Sequence, residues 1–123
     1  MPERVLSDPA PQAFCSTPAQ TSIGATAARI LAANAKRKGL FIQNTGTTII
    51  RLSFGSTDPT QTVYHAALGA CTVADDGTGG TWSDDAYTGE VRAISSAGGG
   101  TCVIAEFRTG SPDWNGAGDW GIA

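Results

Sequence analysis

The sequence predicts an all-β fold, a small jelly-roll-like β-sandwich with an extended arm at each end. Three observations lead there. Short alternating apolar runs recur between clusters of Gly, Asn, Asp and Thr, which is the spacing of a sandwich or barrel. Only 15% of the 123 residues are charged while 16 are glycine, a composition of turns and short strands rather than of helices or an acidic disordered chain. Pro2, Pro9, Pro11 and Pro18 crowd the first 22 residues, where they forbid a helix and disfavour a central strand.

These features divide the chain into an N-terminal arm over 1–22, a sandwich domain over 23–107 and a Gly- and Trp-containing C-terminal arm over 108–123. A single domain of this size buries about two thirds of the surface of its unfolded chain, so its margin of stability is thin.

Within the domain, "ATAARILAANAKRK" reads two ways: its alanines favour a helix, while Ala28, Ile30 and Ala32 alternate as in a strand. Residues 38–44 and 47–54 predict a hairpin across "NTGTT", with Gly46 supplying a positive φ. Leu40 and Ile42 share one face of the first run; Ile50, Leu52 and Phe54 share one face of the second. Phe41 and Ile49 then point outward, to be covered by an arm or by another subunit. Further strands are expected in 61–68, 89–96 and 100–107, with Val91 and Ala93, then Val103, Ala105 and Phe107, facing inward. The interval 74–89 reads as a loop with one short strand near Trp82, and the C-terminal arm repeats Asp-Trp at 113–114 and 119–120.

A net charge of −3 opposes nucleic-acid binding, which needs clustered cations to neutralise phosphates. The one basic run, Lys36, Arg37 and Lys38 with Arg29 nearby, is either a solvated turn or a contact for an acidic partner. No apolar run approaches the roughly 20 residues of a membrane span, and "MPERVLSDPAPQ" has proline and acid where a signal peptide needs an apolar core, so no membrane partner and cytosolic synthesis are expected. Cys15, Cys71 and Cys102 form an odd set without metal-ligand spacing; buried free thiols are expected, with a Cys71–Cys102 disulfide as the alternative.

Catalytic constellations are missing. His65 stands alone among quiet neighbours, and a triad needs a positioned base. The acids Asp75, Asp76, Asp84 and Asp85 lack the alternating ladder of a calcium loop, and "DDGTGG" lacks the Lys-Ser or Lys-Thr of a phosphate loop. No enzyme activity, cofactor or metal is expected.

"ATAARILAANAKRKGLFIQNTGTTIIRLSFG", followed later by "YTGEVRAISSAGGGTCVIAEF", resembles a pattern among small virion proteins of tailed bacteriophages, the capsid decoration or cement proteins. The resemblance spans about 25–107. It implies a β-sandwich bound to the exterior of the virion capsid, with the major capsid protein as partner and a homo-oligomer, a trimer, as the working form. Self-association also follows from the outward apolar residues themselves. The contact residues expected are Lys36, Arg37, Lys38, Phe41, Ile49, Trp114 and Trp120. The alternative is a receptor- or carbohydrate-binding module of a phage head or tail fibre, with Trp82, Trp114 and Trp120 stacking on sugars.

Overall fold

A computed structural model describes residues 12–110. They form nine strands: β1 (Gln12–Cys15), β2 (Gln20–Ile23), β3 (Ala28–Leu31), β4 (Gly39–Asn44), β5 (Ile50–Phe54), β6 (Ala66–Leu68), β7 (Thr81–Asp84), β8 (Val91–Ser95) and β9 (Gly100–Gly110). The first, five-stranded sheet has the order β1-β9-β4-β7, with β2 also on β9; the second has the order β3-β8-β5-β6. Every pairing is antiparallel. From β2 to β9 the chain repeatedly crosses between the layers, and the resulting strand orders are those of a jelly roll. The all-β sandwich read from the sequence is the fold observed.

The core lies between the two sheets. Leu31, Ile42, Ile50, Leu52 and Val91 are fully buried there, and Ile104, Trp82 and Phe54 pack against them. Phe54 centres the aromatic end, with its ring 4.4 Å from Trp82 and 5.6 Å from Tyr87. The alanine-rich segment resolves as strand β3, which delivers Ile30 and Leu31 to the core.

Two hairpins expected from the sequence are absent. β4 and β5 lie in opposite sheets, as do β8 and β9, so "NTGTT" carries the chain across the sandwich instead of reversing it within one sheet. The cause is Asn44, fully buried at the end of β4. Its amide donates to the carbonyls of Thr48 at 2.7 Å and Leu68 at 3.0 Å, and its Oδ1 accepts the Gly46 amide at 2.9 Å. The left-handed glycines among the described residues are Gly55, Gly77 and Gly99, not Gly46. Gly79 packs so closely on this crossover that any side chain there would overlap the Asn44 carbonyl. Asn44→Ala strands two carbonyls and an amide, and should cost about 2–3 kcal/mol; urea unfolding should show a lower midpoint with an unchanged slope.

The arms also begin later than expected. Residues 12–15 and 20–23, read as part of a free N-terminal arm, pair with opposite halves of β9 along the same edge. Between them the Ser16 amide donates to the Glu106 carbonyl at 2.9 Å. β9 itself continues to Gly110, past the boundary at 108. The region 61–68 yields only the three residues of β6.

The largest correction concerns the register of β9. Val103, Ala105 and Phe107, expected inside, lie opposite Gln43, Phe41 and Gly39 on the outer face of the first sheet. Cys102, Ile104 and Glu106 point inward, opposite Asn44, Ile42 and Leu40. A one-residue change of phase exchanges the two faces of a strand, and here a buried ion pair sets the phase. Glu106, 0% exposed, accepts from Nε of Arg37, 2% exposed, at 2.9 Å.

Candidate functional site

The two outer faces of the sandwich differ in how they are covered. Over the second sheet, the 55–65 loop folds back on the strands. Ser53 donates to the Thr57 carbonyl at 2.7 Å, and Gln61 donates to the Ser95 carbonyl at 2.7 Å. Arg51 reaches Gln61 at 2.8 Å and lies 5.3 Å from the Tyr64 ring centroid, while Arg92 pairs with Asp58 at 2.8 Å and Glu90 at 3.1 Å. This face is closed by the chain's own polar groups.

The first sheet is covered only in part. Gln43 donates to the carbonyls of Gly77 at 3.2 Å and Gly79 at 3.3 Å, and Gln20 reaches Asp75 at 2.8 Å, so the 72–79 loop caps one half of the face. The other half displays Phe41, Ala105, Phe107 and Cys15. Phe107 is 38% exposed, and its ring leans on Gly39, where a Cβ would come within 3.3 Å of it. Two hollows flank Phe41. One, of about 270 Å³, is lined by Cys15, Pro18, Ala19, Val103 and Ala105. The other, of about 530 Å³, lies between Phe41 and Phe107 and is bounded by Gly39, Ser83, Asp84 and Asp85. Lys38, whose amide donates to the Phe107 carbonyl at 2.7 Å, stands at the Phe107 side.

Of the expected contact residues, Phe41 lies on this face. Arg37 does not serve as a docking cation. Besides Glu106, it donates to the carbonyls of Ala32 at 2.7 Å, Gly89 at 2.9 Å and Tyr87 at 3.2 Å, tying two loops to β9. Lys36 and Lys38 remain at the surface. Ile49, 37% exposed, exchanges hydrogen bonds with Ser96 beside the second sheet, away from Phe41. Trp114 and Trp120 lie outside the described residues. The residues missed were Val103, Ala105, Phe107 and Cys15; the signal for them was the carboxylate at 106, whose phase they oppose.

The acidic loop residues hold turns. Thr78 donates to Asp76 through its hydroxyl at 2.6 Å and its amide at 2.9 Å, and these bonds, with a further one from the Val73 amide, hold the carboxyl below its ordinary value of 3.8. Asp84 accepts the amides of Ala86 at 3.2 Å and Tyr87 at 2.7 Å. Among the described residues, no three His, Cys, Asp or Glu side chains gather as metal ligands. Because the folded value lies below the unfolded one, the hold of Asp76 on its loop is complete above pH 3.8 and is lost as the pH falls through the lower folded value. In an acid titration followed by NMR, the Val73 and Thr78 amide signals should therefore stay fixed through 3.8 and move only below it.

His65 accepts the Phe54 amide at Nδ1 at 2.9 Å and stacks on the Phe54 ring. The three thiols are free, so the alternative disulfide is not formed. Cys71 donates to the Asn44 carbonyl at 3.3 Å, and burial pushes the Cys102 thiol up to about 12. Cys15, expected to be buried, is exposed because it sits opposite Phe107 on the outer face. In the native protein a thiol reagent should label Cys15 alone, with Cys71 and Cys102 reacting after unfolding; mass spectrometry of the labelled peptides reads this directly.

No family model and no curated protein matches the chain. The chain is similar to a solved structure described as Bacillus endospore appendages that form a novel family of disulfide-linked pili, at 18% identity over 92% of this chain and 91% of that one, with a TM-score of 0.45. The capsid-cement reading and its carbohydrate-binding alternative are corrected here. The solved neighbour is a bacterial appendage, not a phage particle or a sugar-binding module. The basic turn meant to dock a capsid has its central cation buried, and Trp82, one of the three rings meant for sugars, packs in the core.

Proposed function

We propose that the protein is a structural subunit whose function is contact with further copies of itself, made through the Phe41–Phe107 half of the first sheet's outer face. The observation that carries this reading is the phase of β9. Val103, Ala105 and Phe107 face solvent while Glu106 is buried on Arg37. Burying an ion pair is costly and often no better than an apolar packing of the same volume, so a lone sandwich gains nothing by turning the apolar side of a central strand outward. A subunit that needs a contact face gains an aromatic patch, and such patches mark protein interaction sites.

The chemistry of the face favours a second copy. Lys38 and Asp85 stand on different sides of the Phe41–Phe107 hollow, so the rim has no net sign with which to select a strongly acidic or basic partner. The hollows lack the convergent polar groups with which small-molecule sites fix orientation. A small domain also gains stability by association. Light scattering over a concentration series tests this: the mass should rise with concentration, and a monomer throughout would overturn the reading.

A further inference from the structure

We infer that residues 111–123 of one copy lie in the two hollows beside Phe41 of the next copy, which makes the contact directional, from arm to face. This rests on the self-association reading and names what occupies the face.

The first observation is where the chain leaves the sandwich. The last pair between β9 and β4 is Phe107 with Gly39, while β9 runs on with β1 as far as Gly110 opposite Gln12. The 13 residues that follow are therefore delivered beyond the end of the exposed stripe rather than over it. Ser111 precedes Pro112, and a residue before proline is held in extended conformations and out of the helical region. The segment thus sets out along the direction of β9, away from its own Phe107, and toward a neighbour.

The second observation is reach. Fully extended, the segment spans at most about 43–47 Å, while the exposed stripe from Val103 to Phe107 covers only about 13 Å. One arm can cross the gap between copies and still line the whole stripe.

The third is chemical match. The segment carries Trp114 and Trp120, spaced six residues apart with glycines between them. Phe41 separates two apolar-walled hollows of about 270 and 530 Å³, one for each indole. Its charged side chains are Asp113 and Asp119, with no Lys or Arg. Lys38 beside Phe107 complements the nearer of these, whereas Asp85 on the same hollow does not, so the acid is expected to lie on the Lys38 side. A contact in which an arm meets a different surface of the next copy is heterologous, and it propagates as a ring or an open filament.

The test is complementation in the full-length chain. One variant, Trp114→Ser with Trp120→Ser, keeps the face and loses the arm; the other, Phe41→Asp, keeps the arm and loses the face. Phe107→Asp replaces Phe41→Asp if circular dichroism shows that the latter is misfolded. Each variant alone should associate at least about 30-fold more weakly than the wild-type chain, the loss expected for a hot spot. An equimolar mixture should form a heterodimer and stop there, since the second arm and the second face are both disabled. Two results overturn the inference while leaving self-association standing: association of the tryptophan variant as strong as wild type, or a mixture that stays monomeric. A wild-type chain that never associates overturns the self-association reading, and the inference falls with it.

Discussion

Arg37→Met is expected to be the most damaging single substitution in the described structure, costing about 3–5 kcal/mol because it leaves Glu106 as a buried charge without its cation. Folded domains are stable by about 5–15 kcal/mol in all, so this change alone can unfold the protein near body temperature. Where it remains folded, its melting temperature should fall by on the order of 10–20 °C. The size of the effect comes from the number of groups involved. One guanidinium reaches Glu106 in β9 together with the carbonyls of Ala32, Tyr87 and Gly89. The double change Arg37→Met with Glu106→Leu should recover part of the loss, since no charge is then buried, but not all of it, because those carbonyls still lose their donor. Urea unfolding of the three proteins measures this. A single Arg37→Met variant within about 1 kcal/mol of wild type, the size of one ordinary hydrogen bond, would show that the pair does not set the phase of β9.

The second large effect is on assembly rather than stability. Phe107→Asp, or Phe41→Asp, places a carboxylate where an apolar contact is made, and should weaken self-association by about 2 kcal/mol or more, roughly 30-fold. Both residues lie on the outer face of the first sheet, so the melting temperature of the monomer should move by no more than a few degrees, as for surface substitutions generally. Ile104→Asp, one residue away on β9 but packed against the core, should instead prevent folding. The contrast between neighbouring positions on one strand is what the observed phase requires; an Ile104→Asp chain that folds normally would reverse it.

Much of this was legible in the sequence. Alternation located the strands at 39–44, 50–54, 91–95 and 100–110, and correctly turned Leu40, Ile42, Ile50, Leu52, Val91 and Ala93 inward. Partners were harder to read. Alternation says that a segment is a strand, but not which sheet it joins, and "NTGTT" has the composition of a hairpin turn while Asn44 uses its side chain to make a crossover. The phase of β9 was misread because "CVIAEF" offers two apolar faces, and the one without a carboxylate looked like the interior. Only the partnership of Arg37 with Glu106, 69 positions apart, decides the matter. A local pattern cannot report a contact of that length. The same misreading concealed the candidate face, since the residues sent to the core were those that cover the outside.

Cys15 gives the most direct test of the claim that this face is the contact between copies. It is the exposed thiol, it lies opposite Phe107, and it lines the hollow beside Phe41. Its rate of alkylation should be measured across a concentration series alongside the mass from light scattering. The account predicts that the rate falls as the mass rises, and that in the Phe107→Asp variant both stay constant. A Cys15 that reacts equally fast in the monomer and in the assembly would place the contact on another surface and contradict the account.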